Sequence, residues 1–207
     1  MAASRASGTE GYAEAADAVA KAYEAITFAA VHRNILHLIP TAPSRVLDIG
    51  AGTGRDAAAL AALGHGVVAV EPTAELRTHG QRLHPAAAII WIDDALPDLT
   101  VLRERGERFD LVMLTAVWMH LDAGQRAWAM RRVTELLLPG GMAALALRHG
   151  PVPAGRRMFE VSACETCTLA SQHGLETLHR SERGDTQGRD NIHWSVVVFR
   201  RPLTESA

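Results

Sequence analysis

Three glycines and one acid give this chain its clearest candidate for a ligand-binding loop. Gly50, Gly52 and Gly54 follow a short apolar run, and Glu71 ends the next apolar run along the chain. Glycine adopts positive φ angles without steric cost and lets a ligand approach the backbone closely. An acid at the end of the neighbouring strand can accept hydrogen bonds from both hydroxyls of a ribose. This spacing predicts a nucleotide-cofactor site and leaves the identity of the cofactor open.

The segments that must position this loop alternate between strand and helix patterns. Predicted strands cover 45–49, 67–71, 87–92, 109–115 and 142–148, and predicted helices cover 54–63, 73–83, 99–105 and the stretch that starts at the capping box of Asp122 and Gln125. Strands that alternate with helices favour a mostly parallel sheet with right-handed crossovers. The stretches GLETLHR and NIHWSVVVFRR have only a loop over 181–191 between them, so they must pair antiparallel. We therefore predict an α/β fold: a three-layer Rossmann-like sandwich, whose mostly parallel seven-stranded sheet ends in an antiparallel hairpin, with N-terminal helices.

Length and composition place these elements in one domain. The chain has 207 residues, of which 48% are hydrophobic, and a formal net charge of -2. This length and hydrophobic content are ample for one core. The near-neutral net charge does not favour binding to nucleic acid or to an anionic membrane. We expect a disordered N-terminus over 1–11 and a single domain over 12–207, divided into a cap of two helices over 12–40, a cofactor-binding core over 45–148, and a substrate loop with the C-terminal hairpin over 149–207. A signal peptide and a membrane span are not expected, and the predicted location is the cytoplasm.

Arg55 discriminates between the cofactors that such a loop can hold, namely NAD, FAD and S-adenosylmethionine. The dinucleotide fingerprint G-x-G-x-x-G/A requires a small residue where a helix N-terminus approaches the pyrophosphate. Counted from Gly50, that position holds Arg55, and the third glycine comes one residue early. The loop is therefore a poor match for a dinucleotide, whereas a cofactor without pyrophosphate has no such requirement.

Five motifs in order carry a resemblance to a known family. VLDIGAGTGRDA resembles the first motif of class I S-adenosylmethionine-dependent methyltransferases, and VVAVEP resembles their second-strand motif. IDDALP is similar to their adenine-binding segment, FDLVMLTAVWMHL to their fourth-strand motif and LLLPGGMAALAL to their fifth. The set spans about Arg45 to Arg148, and the closing antiparallel hairpin also agrees with that family's sheet.

The resemblance implies roles for the matching positions. Asp48 and the glycine loop would hold the methionyl part of S-adenosylmethionine, and Glu71 would bind the ribose hydroxyls. Asp94, or else Asp93, would accept a hydrogen bond from the adenine amino group. Arg55 either neutralises the methionyl carboxylate or faces solvent. The positions expected to bind the cofactor are Asp48, Gly50, Ala51, Gly52, Gly54, Arg55, Glu71, Pro72, Asp93, Asp94, Ala95, Thr115 and Ala116.

The acceptor side is predicted to come from the loops after the fourth and fifth strands and from the chain termini. Methyl transfer from a sulfonium is an in-line displacement, so the protein mainly aligns an O, N or S atom of a small molecule. His120 is a candidate base for a phenol or alcohol, with a structural role as the alternative, and His149 is a second candidate. The loop RHGPVPAGRR is either an anion-binding segment or an ordinary solvated connection. The expected acceptor contacts are Tyr23, Trp118, Arg148, Arg157 and Trp194, with core packing as the alternative for Tyr23 and Trp118.

The same sequence pattern is also compatible with three other functions. A methyltransferase acting on RNA or on protein is one, although the segment after the fourth strand lacks the Asn/Asp-Pro-Pro-aromatic stretch typical of enzymes that modify exocyclic base nitrogens. A non-catalytic module that binds S-adenosylmethionine is another, and an NAD-dependent oxidoreductase is a third. We expect no metal, because Cys164 and Cys167 form a single pair and zinc needs about four ligands.

Overall fold

The computed structural model describes residues 7–203, in which seven strands form one sheet. The strand order is β3-β2-β1-β4-β5-β7-β6. Neighbouring strands from β1 to β5 pair parallel, whereas β7 is antiparallel to both β5 and β6. The strands are β1 (Arg45–Ile49), β2 (Gly66–Val70), β3 (Ile89–Ile92), β4 (Phe109–Thr115), β5 (Leu137–His149), β6 (Glu176–Gly184) and β7 (His193–Arg200). The predicted fold class, with its closing antiparallel hairpin, is confirmed.

Helices cover both faces of the sheet and give the three layers. They are α1 (Ala16–Glu24), α2 (Phe28–Val31), α3 (Arg55–Ala62), α4 (Ala74–Leu83), α5 (Thr100–Glu104), α6 (Ala123–Leu136) and α7 (Ala163–Gln172). On one face, Leu102, Met130 and Ala170 from α5, α6 and α7 belong to the larger buried cluster. On the other face, Phe28 from α2 and Leu60 from α3 belong to a second cluster. None of the helices in residues 7–203 has the length and apolar character needed to cross a membrane.

The N-terminal region contains two α-helices, as predicted over 12–40, but the second has only four residues. A 3-10 helix at Leu36–Leu38 follows α1 and the short α2. The break before α2 has a local cause, because the Thr27 side chain accepts a hydrogen bond from the Ala30 amide (3.2 Å) and starts a new helix. The disordered stretch predicted over 1–11 lies outside the described residues for 1–6, whereas residues 7–11 are described and form turns next to the cavity.

The predicted start of α6 agrees with the structure, whereas the predicted start of the hairpin loop does not. The capping box of Asp122 and Gln125 is present, with hydrogen bonds of 2.9 and 3.0 Å. The predicted hairpin loop over 181–191 is wrong at its start, because β6 continues to Gly184. Arg183 pairs there with Trp194 and Gly184 with His193, so backbone pairing with β7 extends the strand through a polar sequence.

Candidate cofactor and substrate site

The carboxyl ends of the central parallel strands open into a cavity of about 460 Å³. This edge of a parallel sheet is where ligands of such folds bind. The ends of β1 and β2 form one wall, and the segment after β4 forms another. Residues 7–9, α1 and the ends of β6 and β7 enclose the remaining sides. The cavity therefore joins the predicted glycine loop to segments that lie more than a hundred residues away in the chain.

The glycine loop is held in place by backbone and carboxylate hydrogen bonds. The amides of Gly50 and Ala51 donate to the Val70 carbonyl at 2.7 and 3.0 Å. The Glu71 carboxylate accepts from the Gly52 amide (2.9 Å) and from the Thr73 amide (2.8 Å). Burial raises the pKa of Glu71, although these two amides oppose the shift. Glu71 thus ties the loop to the end of β2 and still lines the cavity.

Asp48 at the end of β1 presents an incompletely paired carboxylate to the cavity. The residue is 2% exposed, and its Oδ2 atom has no hydrogen-bond partner within the described residues. Burial, together with the nearby charges of Asp56 and Glu71, raises the pKa of Asp48 well above its usual value. A buried carboxylate of this kind is stabilised by a cationic ligand group.

Arg55 lines the cavity, but its charge is already compensated by protein groups. Its Nε donates to Asp56 Oδ1 (2.7 Å) and its Nη1 donates to the Tyr23 carbonyl (3.3 Å). Asp56 Oδ2 also lies 2.7 Å from Nε2 of His32. Burial alone would raise the pKa of Asp56, but His32 and Arg55 outweigh it and hold that pKa well below its usual range.

Most of the positions expected to bind cofactor line the cavity, whereas Asp93 and Gly54 lie outside it. Asp94 lines the cavity and accepts hydrogen bonds from the amides of Ala95 and Leu102, both at 2.9 Å, whereas Asp93 is paired with Arg77 outside the cavity. Gly54 also lies outside the lining, where an added Cβ would be 2.8 Å from the Trp91 ring. Those that line the cavity are Asp48, Gly50, Ala51, Gly52, Arg55, Glu71, Pro72, Asp94, Ala95, Thr115 and Ala116.

On the acceptor side, the cavity includes four of the seven predicted residues. These four are Tyr23, His120, Arg148 and Trp194. Trp118 is fully buried in the core instead. His149 lies outside the lining, with its Nε2 2.8 Å from Ser195 Oγ and its ring stacked on His193. Arg157 is also outside, where its guanidinium bonds to Ser7, the His120 carbonyl and Asp122.

The structure adds a tyrosine–histidine pair that the sequence reasoning missed. Tyr12 Oη lies 3.1 Å from Nε2 of His120, and Nδ1 of His120 donates to the Arg157 carbonyl at 2.8 Å. The Arg156 guanidinium lies 3.7 Å from the centre of the Tyr12 ring. Burial lowers the pKa of His120, and the charge of Arg156 adds to this although the Arg157 carbonyl opposes it. The imidazole is therefore neutral near pH 7.

Three charged residues of the hairpin were also missed. Arg183, Asp185 and Arg189 line the cavity from the end of β6 and the loop after it. Their place in the predicted loop 181–191 was a weak signal, since charged loop residues usually face solvent. Among residues 7–203, His, Cys, Asp and Glu side chains form no group of three or more suited to a metal ion.

Comparisons with known proteins agree with this fold. Residues 46–141 match the family described as a methyltransferase domain. No curated protein matches the chain significantly in sequence.

Solved structures of similar fold include three bacterial methyltransferases. The 1,6-didemethyltoxoflavin-N1-methyltransferase of Burkholderia thailandensis, with bound 1,6-didemethyltoxoflavin and S-adenosylhomocysteine, has a TM-score of 0.67 and 22% identity, covering 98% of this chain and 93% of that one. A TehB-like methyltransferase from Corynebacterium glutamicum has a TM-score of 0.64 and 21% identity, with coverage of 89% and 97%. The N-methyltransferase NodS of Bradyrhizobium japonicum has a TM-score of 0.64 and 19% identity, with coverage of 83% and 94%. The motifs, the sheet order and the methyltransferase domain matched over residues 46–141 together support an assignment to the class I S-adenosylmethionine-dependent methyltransferases.

Proposed function

We propose that the protein transfers a methyl group from S-adenosylmethionine to an O, N or S atom of a small molecule and releases S-adenosylhomocysteine. One observation carries the proposal: a single cavity joins Asp48, Glu71 and the glycine loop to a chamber lined by Tyr12 and His120. Its volume of about 460 Å³ falls in the range of small-molecule sites. The B. thailandensis neighbour, itself a methyltransferase crystallised with bound 1,6-didemethyltoxoflavin, supports a small-molecule acceptor.

The cofactor side of the cavity fits the chemical groups of S-adenosylmethionine. The unpaired Oδ2 of Asp48 suits the methionyl ammonium, and the free lone pairs of Glu71 suit the ribose hydroxyls. Asp94 and the Ala95 backbone suit the adenine edge, while Thr115 and Ala116, which line the same cavity, suit the methionyl chain. The cofactor supplies an electrophilic methyl group on its sulfonium when bound, so the chain's own task is to align an acceptor.

His120 and Tyr12 suit the removal of a proton from the acceptor. Because Nδ1 of His120 donates to the Arg157 carbonyl, its Nε2 holds a lone pair and accepts from the Tyr12 hydroxyl. A proton that leaves an acceptor O–H or N–H can therefore reach Nε2 through Tyr12 Oη. An acceptor that is already a neutral amine, thiolate or carboxylate needs no such base.

Two measurements test the proposal. Isothermal titration calorimetry compares S-adenosylhomocysteine with NAD, and binding of NAD alone would contradict the cofactor assignment. Transfer of radiolabelled methyl groups is then followed in a metabolite extract, in RNA and in protein from the same cells. We expect label in small molecules; label in RNA or protein would favour those acceptors, and tight binding without turnover on any fraction would favour a non-catalytic module. A cytoplasmic location stays a prediction.

A further inference from the structure

Arg183 is a buried cation without an anionic partner at the wall of the cavity. It is 7% exposed and lines the cavity from the end of β6. Its Nη1 donates to the Gly184 carbonyl (3.2 Å), but its buried Nε has no partner, and no ion pair involves Arg183 within residues 7–203. The guanidinium packs over the Trp194 ring, 4.9 Å from its centre. A buried charge left unpaired is costly, so this arrangement indicates that a ligand supplies the anionic group that pairs with Arg183.

The charges around Arg183 do not supply the missing anion. The charge of Asp185 acts on Arg183, but this carboxylate is already shared between the guanidinium of Arg189 (2.8 and 3.0 Å) and the Trp194 indole N–H (3.0 Å). Burial lowers the pKa of Arg183, and the positive charges of Arg33 and Arg55 lower it further, although the charge of Asp185 opposes the shift. Arginine still stays protonated in proteins, so the charge persists. This side of the cavity is therefore positive and incompletely neutralised.

The other arginines of the cavity have their own protein partners. Arg55 is paired with Asp56, and Arg156 lies over Tyr12 and donates to the Glu10 carbonyl. Arg148 donates to the carbonyls of Gly150 and Pro151. Among the arginines in residues 7–203, Arg183 is the one that combines burial, contact with the cavity and the lack of an ion-paired acid.

We propose that Arg183 binds a carboxylate, or a comparable oxyanion, carried by a small molecule in this cavity, with Trp194 as the flat surface beside it. The inference rests on the proposed function for the cavity and adds the residue that recognises charge. Two sources offer this chemistry: the methionyl carboxylate of the cofactor, and an acidic group on the acceptor itself. Arg–carboxylate contacts combine charge with fixed hydrogen-bond geometry, which suits either source.

The test compares Arg183→Met and Arg183→Lys with the natural protein, and Arg180→Gln serves as the control. Arg180 is an exposed arginine of the same strand and lies outside the cavity. Calorimetry measures binding of S-adenosylhomocysteine and of 5′-methylthioadenosine, which lacks the amino acid part. Thermal melting measures stabilisation by 10 mM benzoate, with and without saturating S-adenosylhomocysteine.

Arg183→Met is expected to melt at a higher temperature than the natural protein without ligand, because an unpaired buried charge is removed. If the cofactor carboxylate is the partner, affinity for S-adenosylhomocysteine falls at least tenfold in Arg183→Met while that for 5′-methylthioadenosine is unchanged. If the acceptor is the partner, cofactor affinity is unchanged and the melting shift caused by benzoate disappears. Arg183→Lys keeps the charge and should retain part of the affinity for S-adenosylhomocysteine in the first case, or part of the benzoate-induced melting shift in the second.

The inference is overturned if Arg183→Met binds S-adenosylhomocysteine and responds to benzoate as the natural protein does. It is also overturned if Arg180→Gln shows the same losses, because the effect would then be general to the charge of the hairpin. Failure of the natural protein to bind S-adenosylhomocysteine would contradict the proposed function instead, and the benzoate response would still test Arg183 alone.

Discussion

Tyr12 Oη and His120 Nε2 lie 3.1 Å apart, although 108 positions separate them in the chain. The contact exists because the N-terminal segment lines the cavity close to a 3-10 helix, Trp118–His120, that follows β4. Gly8 allows this close approach, since a Cβ there would be 3.0 Å from Cβ of His120. The N-terminal segment thereby becomes part of the candidate acceptor chamber.

Arg156→Gln should raise the pKa of His120. Burial is the main cause of the lowered pKa, and the positive charge of Arg156 is a further cause that this variant removes. In the natural protein, the unfolded chain binds more protons at His120 than the folded chain does. The contribution of the neutral His120 to the free energy of unfolding is therefore lost as the pH falls below about 6.5. NMR titration of the His120 ring protons measures the shift, with Arg180→Gln as the control. An unchanged or lower pKa in Arg156→Gln would contradict this electrostatic coupling.

Asp48→Asn should stabilise the ligand-free protein and weaken cofactor binding. Because the folded-state pKa of Asp48 is raised above the unfolded value of about 3.9, the folded protein binds the extra proton and loses stability as the pH rises through that folded-state pKa. The amide removes this penalty, and we expect a gain on the order of 1 kcal/mol at pH 7 from urea unfolding.

The same variant tests the role of Asp48 toward a cationic ligand group. A hydrogen bond to a charged group contributes about 1.5–3 kcal/mol, so affinity for S-adenosylhomocysteine should fall by about tenfold or more. In the natural protein that affinity should increase with pH, because the bound ammonium favours the ionised carboxylate. The exposed Asp190→Asn is the control. Equal affinities of Asp48→Asn and the natural protein across pH 5–8 would refute the assignment.

Gly52→Ala should abolish cofactor binding at a modest cost in stability. Gly52 has a φ of 59°, and an added Cβ would lie 3.1 Å from Cε2 of Tyr23. Gly64→Ala is the matched control, because Gly64 also has positive φ (90°) but nothing lies within 4 Å of its Cβ position. Both variants should lose about 1–2 kcal/mol from left-handed strain. Calorimetry with S-adenosylhomocysteine should separate them, and equal affinities would argue against a tight cradle at Gly52.

The sequence was sufficient for features that depend on local patterns and insufficient for those that depend on register. The bounds of β1 and β4 and the α6 capping box follow from apolar runs and turn chemistry, and they agree with the structure. Arg148 and His149 are neighbours on β5, and successive strand residues point to opposite faces. Periodicity cannot say which of them faces the cavity, and the structure selects Arg148.

Register also explains why Arg183 was missed. Its place opposite Trp194 depends on the pairing of β6 with β7, which shifts between Thr177 and His179. A shift of one residue moves every later side chain to the other face of the sheet. No residue type or spacing in the sequence encodes such a shift, so the positive wall of the cavity appears only when the strands are paired.

His32→Leu should destabilise the fold through Asp56. His32 and Asp56 are 4% exposed each, and Nε2 of His32 lies 2.7 Å from Asp56 Oδ2. Removal of one partner leaves a buried carboxylate that keeps only Arg55, and breaking such pairs costs about 3 kcal/mol. The exposed His37→Leu is the control and should change the free energy of unfolding by less than about 0.5 kcal/mol.

The pH dependence of unfolding adds a second measurement for the same pair. Because the folded-state pKa of Asp56 is depressed, its contribution to stability is present above the unfolded pKa of about 3.9 and is lost as the pH falls through the folded-state value. Loss of His32 raises that folded-state pKa, so His32→Leu should lose stability at a less acidic pH than the natural protein. In an Asp56→Asn background the same change should cost much less, since no charge is left unpaired. Equal costs in the two backgrounds would mean that His32 acts through packing alone.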